Sequence, residues 1–203
     1  AENRRKIAKE KEIAILKGVS SKEYGATYLL HEVQLRMSLG EDLMRAFGNS
    51  GKTILAAAMA YIMEPGAFRN IDSTLERTYI REFYDLRASM DSGTLSDFTR
   101  NLGEKAMNID RFFELRVKGS NGLVAWDTTT NGTYSELDQM AEYVVNNKDG
   151  EDIKQTKTGF ATDMRGIPLM FRHYPGTISD IATVDRMVSD IERYGKKDAL
   201  FVF

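Results

Sequence analysis

Leu123-Val124-Ala125-Trp126-Asp127-Thr128-Thr129-Thr130 is the stretch on which the reading of this sequence turns: four apolar residues, an acid, then three β-branched hydroxyls. It follows the turn-forming cluster Lys118-Gly119-Ser120-Asn121-Gly122, and a short apolar run bounded in this way predicts a buried strand over residues 123–128. The hydrophobic period also changes here, which places a domain boundary at the cluster and divides the chain into 1–117 and 118–203.

Downstream, residues 136–147 read as a helix and Asp149-Gly150 as the turn after it. Residues 157–162 and 167–174 read as two strands joined as a hairpin at Asp163-Met164-Arg165-Gly166, the second closed by Pro175-Gly176. Thr177 with Asp180 has the spacing of a capping box. It opens a helix whose Ile181, Val184, Val188 and Ile191 share one face, with Gly195 at the C-terminal cap. Residues 199–203 complete the series as a strand. A β-β-β-α-β order predicts a mixed α/β sheet, so the fold class expected is α+β or mixed α/β.

Upstream, apolar residues recur at three- and four-residue spacing, the mark of a helical assembly. Residues 54–63 are apolar nearly all round and stop at Pro65-Gly66, as suits a helix packed among others. Ser73 with Glu76 predicts a capped helix presenting Leu75, Tyr79, Phe83, Leu86 and Met90 on one face. Thr94 with Asp97 predicts another, carrying Leu95, Phe98, Leu102 and Ala106, and residues 108–117 predict one more.

Composition narrows the chemistry. The 203 residues are 42% hydrophobic and 29% charged with three prolines, a globular balance. Without cysteine there is no disulfide, thiolate metal site or cysteine nucleophile, and two histidines do not make a histidine metal cage; any metal must be held by oxygen. The longest apolar run, residues 54–63, falls far short of the roughly 20 residues of a membrane span, so a soluble, intracellular protein with no membrane partner is expected. Both ends read as cut from a longer protein. The net charge is −2, yet Arg4, Arg5, Lys6, Lys9 and Lys11 form a basic head, read either as a solvated arm or as a contact for backbone phosphates.

Ala46-Phe-Gly48-Asn-Ser-Gly51-Lys52-Thr53 approximates a phosphate-binding loop, but an amphipathic helix precedes it instead of a buried strand, so residues 48–52 are expected to be a helix-to-helix turn. His31 and His173 read as packed or surface histidines, and Tyr79, Phe83 and Tyr84 as core rather than a base-stacking platform. Asp127 differs from these. A carboxylate at the end of an apolar strand needs a partner: either it opens an Asx turn, or it is an oxygen ligand for magnesium. Asp180 is a second candidate, with helix capping as its alternative role.

A resemblance adds what periodicity does not. The series Leu123-Val-Ala-Trp-Asp127-Thr-Thr-Thr, Tyr134-Ser135, Ala141-Glu-Tyr143, Asp149-Gly150, Gln155, Gly159, Gly166-Ile-Pro168-Leu and Tyr174-Pro175-Gly176-Thr-Ile-Ser179-Asp180 resembles insertion-sequence transposases of the DDE type in order and spacing. The upstream segment, from Lys22-Glu-Tyr24-Gly25 through Phe47-Gly48 to Pro65, is similar to the helical region before the catalytic core of those proteins. Thr177 stands where asparagine is commoner, and Val144 where glycine often follows Glu-Tyr.

The resemblance implies an incomplete ribonuclease H-like core after an N-terminal helical region that contacts DNA. It makes Asp127 the first catalytic, metal-binding aspartate at the end of the first strand, with Thr128, Thr130 and Asp180 supporting it. The second aspartate, heading an Asp-Arg-Gly-aromatic motif, is expected immediately after Phe203, and the glutamate much later. The chain then carries one of three carboxylates and is not expected to catalyse alone. In an intact relative two Mg²⁺ (or Mn²⁺) ions would assist hydrolysis at the element's end and attack of the freed 3′-hydroxyl on target DNA. Its partners would be double-stranded DNA and further copies of itself in a synaptic complex, in the prokaryotic cytoplasm at the nucleoid. The alternative expectation is a non-catalytic DNA-binding fragment or the relic of a decayed transposase.

Overall fold

The structure, a computed structural model, describes residues 21–144 and 153–202. It is a mixed α+β protein. The chain divides into two compact units between Glu104 and Lys105. The boundary therefore lies upstream of the glycine turn at which the sequence places it.

The first unit is helical: α1 (Gly25–Arg36), α2 (Leu39–Phe47), α3 (Ser50–Met63), a 3₁₀ turn (Phe68–Asn70), α4 (Ile71–Arg77), α5 (Ile80–Tyr84) and α6 (Ser92–Gly103). Its buried residues include Leu43, Leu55, Ala56, Met59, Leu75, Ile80 and Tyr84. Residues 48–52 join α2 to the first turn of α3, and no buried strand precedes them, as expected.

Three local expectations in this unit are corrected. The helix expected to carry Leu75 to Met90 is interrupted at Thr78, because Glu23 pairs with Thr78 in a parallel bridge, Glu23 N–H donating to Arg77 O (2.8 Å) and Tyr79 N–H to Glu23 O (3.2 Å). Ser73 lies inside α4, its hydroxyl donating to Asn70 O, and does not cap it. Asp91 caps α6 by accepting from Thr94 N–H (3.0 Å), so Thr94 is the recipient of the cap. Tyr84 is buried as expected, while Tyr79 stays 38% exposed at the edge of a ring cluster with Tyr24 and Phe83.

The second unit opens with α7 (Ala106–Lys118), then β1 (Leu123–Thr133), β2 (Glu142–Tyr143), β3 (Lys154–Asp163), β4 (Pro168–Pro175), α8 (Asp180–Arg193) and β5 (Leu200–Val202). β3 is central. β1 lies antiparallel on one side of it, with β4 and the short β2 antiparallel on the other, and β5 joins the far edge of β1 in parallel. The helix expected over 136–147 is not formed in its described part, which is turn followed by β2. Asp138 and Ser135 accept backbone N–H groups there, the local bonding with which such side chains compete against a helix.

Strand alternation puts Val124, Trp126 and Thr128 of β1 on one face, together with Gly159 and Ala161 of β3 and Met170 and Tyr174 of β4. Met187 and Ile191 of α8 share a buried cluster with Val124, Trp126, Ala161, Met170 and Tyr174, joined by Phe113 and Val117 of α7. Trp126 Nε1–H donates to Thr183 Oγ1 of α8 (3.2 Å), so the indole is both packed and satisfied. Burial in this unit is what makes the strand pattern readable from sequence.

The two helices of this unit are also tied by charge. Arg193 donates to both oxygens of Asp110 (3.0 and 3.1 Å), and the Tyr194 hydroxyl donates to Asp110 Oδ1 (2.6 Å). The Arg193 bonds chiefly, helped by the Tyr194 hydroxyl, hold the Asp110 carboxyl below the usual carboxylate range.

Candidate functional site

Asp127 lies inside β1, not at its end, because pairing with β3 continues to Thr133. It follows buried Trp126 on the alternate face, is exposed, and sits directly across from Phe160 of β3. Cross-strand neighbours of this kind have Cβ atoms about 5 Å apart. A shallow depression of about 280 Å³ lies against Ala125, Asp127, Thr129, Phe160 and Thr162. Farther along this face Asn131 Nδ2–H donates to Thr158 Oγ1 (2.9 Å), which is hydrogen-bonded to His173 Nδ1 (3.0 Å). His173 is thus an exposed strand histidine with a hydroxyl partner, and His31 in the first unit is hydrogen-bonded to the Tyr84 hydroxyl (3.0 Å).

The carboxylate is oriented locally: Thr128 N–H donates to Asp127 Oδ1 (2.8 Å). This occurs in a part of β1 that β5 does not reach. The parallel pairs are Leu123 with Leu200, Val124 with Phe201 and Ala125 with Val202.

The supporting residues all lie on the face of the sheet opposite the Asp127 carboxylate. The Thr128 side chain belongs to the helix-covered face, where its hydroxyl donates to Asp180 Oδ1 (2.8 Å), so it reaches Asp127 only through its backbone. Thr130, two residues on, shares the face of Thr128 and is exposed. Asp180 is the first residue of α8, on the opposite side of the sheet from the Asp127 carboxylate. It accepts from Lys157 Nζ as well (2.8 Å), and that ammonium also donates to Ile178 O (2.8 Å).

Helix capping, the alternative role for Asp180, falls to its neighbour. Ser179 is the N-cap and its Oγ accepts from Ala182 N–H (3.3 Å). Thr177 does not cap α8 either; its hydroxyl and N–H both donate to Glu142 of β2, and these bonds hold the Glu142 carboxyl below its usual range. Gly195 follows the helix with φ 96°, the left-handed position expected of it.

Lys157 is the residue that the sequence reading passed over. Its side chain is only 13% exposed, and alternation with Gly159 and Ala161 was the available signal: a lysine on the buried face of a strand calls for a carboxylate facing it.

Among the described residues no three or more His, Cys, Asp and Glu side chains gather into a group able to hold a metal. Asp127 offers a hard oxygen donor of the kind magnesium takes, but one carboxylate with threonine hydroxyls is too few for a two-metal centre. Arg4, Arg5, Lys6, Lys9 and Lys11 lie outside the described residues. Among those described, no helix is long and apolar enough to cross a membrane. Comparison with known protein families, curated proteins and solved structures found no match.

Proposed function

We propose that this chain carries the front part of the catalytic core of a DDE-type transposase, with Asp127 as the first of three metal-binding carboxylates. The observation that carries the reading is the β1–β5 register. The pairs end at Ala125 with Val202; were β5 to continue in that register, the position where the resemblance expects the second aspartate would come opposite Asp127. Two carboxylates on adjacent strands at one level are the arrangement a two-metal site requires. The sheet order supports the same reading: three antiparallel strands, β4–β3–β1, are followed by a helix and a strand parallel to β1, the order that the resemblance leads one to expect.

In this reading Asp127 would be one of the residues holding Mg²⁺, which when bound would supply charge stabilisation at a DNA phosphate. This chain's part is to hold one carboxylate on an exposed sheet face, its Oδ1 fixed by Thr128 N–H. The resemblance expects the other two carboxylates later in a protein of this type. Double-stranded DNA and further copies of the protein are the partners that follow.

The test is Mg²⁺-dependent strand cleavage of DNA carrying the element's end, by a protein that continues this chain. Asp127→Asn should lower cleavage by about 100-fold or more, the scale of losing an electrostatic contact to the transition state, with thermal stability retained. Undiminished cleavage would remove Asp127 from the site.

A further inference from the structure

We infer that Asp180 is a positioning residue for Asp127 and acts through Thr128. Asp180 Oδ1 receives two hydrogen bonds, from Thr128 Oγ1 of β1 and from Lys157 Nζ of β3, each 2.8 Å long. Lys157 is anchored in turn on Ile178 O, just before α8. The first turn of α8 is therefore clasped across two neighbouring strands. Helix capping does not account for the clasp, because Ser179 supplies the cap.

Thr128 carries the effect through the sheet. Its hydroxyl is held on the helix-covered face while its N–H donates to Asp127 Oδ1 (2.8 Å). A β-branched side chain has few χ1 choices, and holding its hydroxyl restrains the rotation of the adjoining peptide about the strand axis. That peptide supplies the N–H orienting the Asp127 carboxylate. Asp180 thus fixes one oxygen of an acid on the opposite face of the sheet without touching it. The geometry stands by itself; its consequence for catalysis rests on the reading of Asp127 as a metal ligand.

The experiment is NMR of this 203-residue chain, without metal or DNA, comparing the native protein with Thr128→Val, Thr128→Ser and Asp180→Asn. The readouts are the Thr128 amide proton shift and the three-bond couplings of the Asp127 side chain, with the Trp126 indole N–H as a control for packing. Thr128→Val, which keeps size and branching, and Asp180→Asn should each move the Thr128 amide upfield and average the Asp127 couplings, with the indole signal in place. Thr128→Ser should restore the native values, which a general loss of strand packing would not explain. Native-like Asp127 couplings and Thr128 amide shift in Thr128→Val would overturn the inference, even were Asp180→Asn to unfold.

A second arm separates this result from the function. In a cleavage-competent continuation of the chain, Thr128→Val should lower kcat by about 10-fold with KM for DNA unchanged, in line with losses at outer-shell ligand supports. If the couplings respond while Asp127→Asn leaves cleavage intact, the transposase reading fails and the positioning stands.

Discussion

The ring of Trp126 occupies the space over Gly159, so closely that a Cβ on that glycine would overlap Cζ2 and Cη2 of the indole. The same indole meets Tyr174 edge to face at 6.5 Å between centroids and donates to Thr183, so it has no room to retreat. Gly159→Ala should therefore destabilise the second unit by about 1–3 kcal/mol, the usual cost of overpacking. Urea unfolding followed by the fluorescence of this one tryptophan measures it; a native midpoint would mean that the indole relocates freely.

Gly176 makes a different close approach. A Cβ there would overlap the carbonyl of Gln155, a backbone group that cannot swing aside as a side chain can. Gln155 pairs with Glu142 of β2, and Gly176 N–H donates to Met140 O (3.3 Å) beside that strand. Gly176→Ala should cost about 1–3 kcal/mol and raise amide exchange in β2 before β1, as measured by hydrogen exchange.

Asp163, whose side chain is 1% exposed, closes the β3–β4 hairpin. Burial by itself would raise its pKa. The Arg165 guanidinium and the N–H groups of Ile167 and Arg165 outweigh that and hold it below the usual carboxylate range. A carboxyl depressed in the folded state contributes stability above its unfolded pKa and loses it as pH falls through the folded value. Asp163→Asn should thus cost about 1–3 kcal/mol at neutral pH and flatten the decline of stability below about pH 4. Thermal melts from pH 2 to 7 check both.

Tyr84 supplies the alkaline counterpart in the first unit. Burial pushes its hydroxyl from 10.0 up to about 12. A group whose pKa is raised by folding contributes stability fully present below the unfolded value and lost as pH rises through the folded one. Stability should fall progressively between about pH 10 and 12, and Tyr84→Phe should remove that part of the decline while costing about 1 kcal/mol at pH 7, where the bond to His31 is lost. Denaturant titrations across the alkaline range test the sign.

The strands of the second unit were legible because burial on one face writes a two-residue period: Val124, Trp126 and Ala161 announce themselves, and Asp163 with Gly166 marks the hairpin. The breaks in the helical unit were not. Thr78 leaves the helix because it pairs with Glu23, far away in sequence, and no local spacing encodes such a partner. Ser73 and Thr94 mimic caps for a related reason: a Ser/Thr-x-x-acid spacing also occurs inside helices, and Asn70 and Asp91 sit nearby to receive the bonds.

For the candidate site, the sequence by itself determined that an acid follows a buried tryptophan on a strand and so must face away from it, since side chains alternate about an extended backbone. It also marked Asp180 as an acid at a helix start. Only the tertiary structure decided which face α8 covers, and hence that Asp127 is exposed while Asp180 is clasped by Thr128 and Lys157 on the other side. The register that pairs β5 with Leu123, Val124 and Ala125 of β1 is likewise a tertiary result. A strand's pattern states which residues share a face; the packing of helices and neighbouring strands decides what that face meets.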